Sequence, residues 1–135
     1  MSPRRDPDPS TDAPSGEPLL SAHQMAALDR RTIDGLGVPG AVLMEGAAWA
    51  CVQELLARWP DRARRGVVCA CGPGNNGGDG LAIARRLHLR GLPCVAWLPG
   101  GEGGLSADAR QQLALARACG VPTTADPPAL PPDGL

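Results

Sequence analysis

Five glycines fall within the nine residues Gly72–Gly80, directly behind the apolar run Val67-Val68-Cys69-Ala70-Cys71. A continuous apolar run of this length reads as a central strand covered on both faces. A glycine-rich turn at its end lets the backbone bend sharply and approach a ligand closely. The signals around it alternate, and that alternation decides the fold class.

Ser21 is an N-cap for a helix over about 22–34, with Met25, Leu28, Thr32, Ile33 and Leu36 as its apolar stripe. Gly35 and Gly37 stop it. Pro39 opens a second helix that runs to about Trp59, is apolar nearly all round and is therefore expected to be buried. Pro60 ends it, and Arg62, Arg64 and Arg65 form a basic turn before the first strand. Behind the glycine-rich loop comes a helix over about 79–89, with Arg85, Arg86 and Arg90 on its wet side and Gly91 as its C-cap. Pro93–Leu98 is a second strand. Ser106 caps a further helix that buries Ala109, Leu113 and Ala116, and Val121–Thr124 begins a third strand. Strand–helix–strand–helix order means parallel pairing with right-handed crossovers. The fold class is α/β, a three-layer αβα Rossmann-like parallel sheet. The chain reads as the first half of such a domain, stopping after its first strands.

The flanks differ in composition. Residues 1–19 are rich in Pro and Asp and cannot bury enough apolar surface to offset chain entropy, so they are expected to be disordered. The domain part is 20–125, and 126–135 is a proline-rich tail. A length of 135 residues allows one domain at most.

Charge and composition exclude several classes. The net charge of −1 argues against a general nucleic-acid or membrane-surface binder. Phe and Tyr are absent, so an RNA-stacking platform has no aromatics to use. All 13 basic residues are Arg, which excludes a Walker-A phosphate loop and a Schiff-base enzyme. No apolar stretch is long enough for a transmembrane helix. The odd count of 5 cysteines points to free thiols in a reducing cytoplasm. Cys69 and Cys71 lack a second pair or a nearby His, so they read as small core residues rather than zinc ligands. Met25, Met44, Trp97, Cys94 and Cys119 read as packing residues, and His23 and His88 have no visible catalytic partner.

Residues 72–77 match G-x-G-x-x-G between a strand and a helix, the context a dinucleotide site requires. That fingerprint also wants an acid at the end of the next strand for the ribose. The nearest is Glu102, which lies in a glycine run, and this weakens a simple reductase reading. Asn75, Asn76 and Asp79 are more informative. A bare phosphate is disfavoured beside a carboxylate. Hard oxygen ligands suit a cation, a sugar hydroxyl or a polar ring. The same residues also fit a tight turn with local caps, Asp79 then only complementing the helix dipole.

The run Cys71–Gly80 resembles the signature of the NAD(P)H-hydrate epimerase family, the YjeF N-terminal domain. Gln24–Ile33, Gly37–Gly40 with Leu43-Met44-Glu45, and Gly80–Gly91 are similar to its neighbouring helices, so the likeness covers about 22–98. The resemblance implies interconversion of the R and S epimers of hydrated NADH or NADPH, a step in cofactor repair. It implies that Asn75, Asn76, Gly77, Gly78 and Asp79 contact the hydrated nucleotide, and that Asn76 helps hold a potassium ion (K+). It implies a fused or separate dehydratase as partner. An unpaired strand edge would also favour a homodimer.

The sequence departs from the family where Met44-Glu45-Gly46-Ala47-Ala48 replaces Met-Glu-Asn-Ala-Gly or a near variant of it. Nothing after Ala125 resembles the family's later phosphate loop or catalytic aspartate, so the catalytic acid or base is unknown. The chemistry expected is proton-assisted epimerisation at the hydrated ring carbon. The alternatives are a non-catalytic nucleotide-binding or scaffold module of the same fold, and an inactive fragment.

Overall fold

The computed structural model describes residues 19–130 and 132–135. The expected disorder of the N-terminal segment falls on residues outside these, apart from Leu19. The elements are α1 (Ala22–Arg30), a π-helical turn (Arg31–Gly35), α2 (Gly40–Arg58), α3 (Pro60–Arg65), β1 (Val67–Ala70), α4 (Asn75–Leu89), β2 (Cys94–Trp97), α5 (Ala107–Ala118) and β3 (Thr123–Thr124). The strands form one parallel sheet in the order β1-β2-β3, with Val67 opposite Cys94 and Ala96 opposite Thr123. This is the Rossmann-like α/β arrangement.

Local chemistry explains the boundaries. Ser21 and Gln24 form a reciprocal capping box at the start of α1. Ser106 caps α5 by accepting the amide of Ala109 at 3.2 Å. Gly91, at φ +75°, turns the chain out of α4 in a conformation that side chains disfavour. Pro60 ends α2 as expected, but it also starts α3, where a missing N–H costs nothing. The basic segment is therefore a helix, not a loop.

The core lies between the sheet and α4. Val67, Cys69 and Ala96 pack with Leu81, Ala84 and Leu87, and α5 adds Leu113 and Ala116. Among the described residues, β1 is packed more tightly on one face than on the other: Val67 and Cys69 are buried, Val68 is half-buried and Ala70 is exposed. The sequence reading of a strand covered on both faces is corrected accordingly. The second helix is corrected in the same sense. Only Met44, Ala48 and Val52, one stripe at a spacing of four, are buried, while Val42 and Trp49 are exposed. Met25 is also exposed rather than core. Trp97 is half-buried and donates Nε1 to the Ala125 carbonyl at 3.2 Å.

Arg85 and Arg86 do not face water. Both guanidinium groups reach the carboxylate of Glu45 on α2, Arg86 at 2.5 Å, and Gln112 of α5 joins them at 3.2 Å. The hub ties three helices together. Burial pushes the Glu45 carboxyl up. The hydrogen bonds from Arg86 and Gln112 and the charges of Arg85 and Arg86 outweigh that and hold it below its ordinary value.

The tail returns to the body. Leu135 donates its amide to Gly66 O at 3.0 Å and accepts the Val68 amide at 2.7 Å, a parallel pairing on the second edge of β1. Arg62 and Arg65 of α3 clasp Asp133 and Gly134 beside it.

Candidate functional site

The carboxyl end of β1 runs through Cys71 into Gly72-Pro73-Gly74, and α4 begins at Asn75. The helix thus starts four residues earlier than the composition suggests. Gly74 caps it through its backbone, its carbonyl accepting the amides of Gly77 at 3.0 Å and Gly78 at 3.3 Å. The amides of Asn75 and Asn76, the first two of the helix, have no intrahelical acceptor. They add positive potential at this end of the helix.

Two glycines make the close packing possible. A Cβ on Gly77 would sit 1.7 Å from the Gly72 carbonyl oxygen. A Cβ on Gly78 would sit 2.8 Å from Met44 Cε and 3.4 Å from Ala109 Cα. The first turn of α4 is therefore pressed against its own leading loop, α2 and α5 at once.

A cavity of about 540 Å3 opens at this junction. Asn75 and Asp79 of α4 line it with Asp29 of α1, Asp108 of α5, and Met25, Ile33, Leu43 and Met44 as apolar walls. Asn75 is held there by Ser106, whose hydroxyl donates to Asn75 Oδ1 at 2.9 Å. Ser106 also donates its amide to Pro73 O at 2.8 Å, so α5 and the glycine-rich loop are fixed to each other. Burial pushes the Asp79 carboxyl up, and the nearby charge of Asp29 pushes the same way. A perturbed carboxyl in a cleft makes Asp79 a candidate functional residue.

Of the five residues expected to contact a ligand, the fold brings Asn75 and Asp79 to the cavity. Asn76 stands exposed on the first turn, and Gly77 and Gly78 are buried against their neighbours. Asp29 and Asp108 were missed from sequence. Asp108 reads locally as a helix-dipole partner, and Asp29 lies 50 positions before Asp79, with no local signal joining them. Among the described residues, no group of three or more His, Cys, Asp or Glu side chains could hold a metal ion. The buried thiols are inert by their surroundings. Burial, with neighbouring Cys71 and Cys94, pushes Cys69 up to about 12, and burial pushes Cys71 up to about 11.

Known proteins resemble the chain in sequence and in fold. Residues 40–133 match the family model described as YjeF-related protein N-terminus. A protein of Oenococcus oeni named NAD(P)H-hydrate epimerase is 44% identical over 103 residues, which is 76% of this chain and 49% of that protein. A protein of Salinibacter ruber named bifunctional NAD(P)H-hydrate repair enzyme Nnr is 40% identical over 100 residues, 74% of this chain and 18% of its own length. The crystal structure of yeast ynu0 superposes with a TM-score of 0.69 at 28% identity, covering 79% of this chain and 46% of the yeast chain. The chain spans about half the length of the curated epimerases it matches.

Proposed function

The chain belongs to the family described as YjeF-related protein N-terminus, and on that premise we propose that it serves NAD(P)H-hydrate epimerisation. In this reading the hydrated nicotinamide dinucleotide lies at the first turn of α4. Its hydrated ring and adjoining ribose occupy the cavity of Asn75, Asp79, Asp29 and Asp108. The observation that carries the reading is this cavity itself. The glycine-rich loop that resembles the epimerase signature delivers two polar side chains into one hollow with two further carboxylates. Such a lining favours hydroxyl and carboxamide donors and disfavours a bare phosphate.

The roles follow from position. Asn75, fixed by Ser106, offers an amide at a set angle to a ring substituent. Asp79 accepts from a hydroxyl when ionised and donates when protonated, and its raised affinity for a proton brings the two states closer together. The first-turn amides of Asn75 and Asn76 suit partial negative charge on the ligand. Asn76 is exposed, and its amide oxygen is hard and uncharged, a fit for potassium. A potassium ion bound there would offset negative charge on the nucleotide. All five cysteines are free, which suits the reducing cytoplasm as the working compartment.

The test is direct. The protein is mixed with the R epimer of hydrated NADH, and the S epimer is followed by chromatography. Appearance of S above the spontaneous rate is expected, and a rate equal to the spontaneous one would refute catalysis by this chain.

A further inference from the structure

The loop after β2 carries a second polar hollow, of about 250 Å3, walled by Leu98, Glu102, Arg117, Thr123, Thr124 and Ala125, with Gly101 at its rim. Leu98 and Ala125 directly follow β2 and β3, so the hollow opens where these two strands end. Arg117, in the last turn of α5, grips Glu102 with two bonds, Nη1 to Oε2 at 3.1 Å and Nη2 to Oε1 at 2.6 Å. A carboxylate in a glycine-rich loop would otherwise swing freely. Here it is held as a fixed pair of acceptors, and each oxygen keeps acceptor capacity beyond the Arg117 bond. The loop is also joined to the first site. Gly104 lies beside Pro73, and Ser106 bonds the Pro73 carbonyl.

Glu102 lies in the loop beyond the end of the second strand rather than on its last residue, but the grip of Arg117 fixes it at the carboxyl end of the sheet, from where an acid behind a glycine-rich first turn can accept a ribose diol as in α/β nucleotide folds. The hollow is below the size of an ordinary ligand pocket and suits one sugar ring rather than a whole nucleoside. We propose that it is a ribose subsite, in which Glu102 accepts from the 2′ and 3′ hydroxyls at the adenosine end of the dinucleotide. A 2′-phosphate would place its charge against this carboxylate, while the Arg117 guanidinium is already committed to Glu102. The site therefore takes hydrated NADH in preference to hydrated NADPH. Arg117 is a positioning residue. The inference rests on the nucleotide reading above and adds its selectivity.

The test titrates the protein with hydrated NADH, ADP-ribose and 2′-phospho-ADP-ribose. ADP-ribose is expected to bind about tenfold more tightly than its 2′-phosphate, and Glu102→Gln to bring that ratio close to one. Glu54→Gln, at an exposed position on α2, is expected to leave the ratio unchanged. Equal binding of the two analogues, or a ratio unmoved by Glu102→Gln, overturns the subsite. Binding of hydrated NADH with neither analogue also overturns the subsite alone. Failure of all three ligands overturns the subsite and the proposed function together.

Discussion

The hydroxyl of Ser106 joins two helix starts, donating to Asn75 Oδ1 at 2.9 Å while accepting the Ala109 amide at 3.2 Å. One side chain thus caps α5 and orients the amide that faces the cavity. Ser106→Ala removes both bonds. A loss of about 1 kcal/mol in stability is expected from the cap, together with weaker binding of hydrated NADH. Ser106→Thr keeps the hydroxyl and is expected to restore both. Thermal melts and ligand titration on the two variants check this, and intact affinity in the alanine variant would contradict it.

The two buried glycines of α4 are expected to differ in tolerance. Gly77→Ala drives a Cβ into the backbone carbonyl of Gly72, which cannot move without opening the loop. A loss of about 4 kcal/mol or a failure to fold is expected. Gly78→Ala meets the tip of Met44, a flexible side chain that can swing aside. About 1 kcal/mol is expected there. Denaturant unfolding of both variants gives the comparison, and equal losses would contradict it.

Asp79 should exchange stability for binding. Its carboxyl is held above the ordinary value, so ionising it costs more in the folded chain than in the unfolded one. The stability linked to its proton is fully present below the unfolded value and is lost as pH rises through the folded one. Asp79→Asn removes that loss. The variant should melt higher than the parent at neutral pH, with the gap closing on acidification, yet bind hydrated NADH at least about tenfold less tightly. A lower melting temperature at neutral pH would contradict the account.

The Glu45 hub gives the opposite pH dependence. Its carboxyl is held below the ordinary value, so its contribution is present above the unfolded value and is lost as pH falls through the lowered one. Glu45→Gln should cost about 2 kcal/mol at neutral pH, because Arg85 and Arg86 lose their shared charge partner. The same variant should lose less stability than the parent on acidification. Urea unfolding across the acid range reads both, and parallel curves would contradict the hub.

Much of this architecture is legible in the sequence because its signals are local. Ser21, Ser106, Gly91 and the apolar runs mark caps and strands within a few residues of where they act. The early start of α4 is not legible, since Asn75–Gly80 has poor helix propensity and its packing against α2 and α5 overrides that. The pairing of Arg85 and Arg86 with Glu45 spans 40 and 41 positions, and no local pattern announces it. The same distance problem hides Asp29. Asn75 and Asp79 stand out in the sequence because polar chemistry and spacing coincide there, and the first turns of α4 bring both to the cavity. Gly77 and Gly78 stand in the same motif, but their place in the fold is tight packing.

In the proposed function, hydrated nicotinamide nucleotide binds at the first turn of α4 with potassium beside Asn76. The most direct measurement is a calorimetric titration of hydrated NADH into the protein, in potassium and in a large organic cation, repeated with Asn76→Ala. The account predicts tight binding in potassium, clear weakening without it, and an Asn76→Ala variant that is weak in both. Binding indifferent both to potassium and to Asn76 would contradict it.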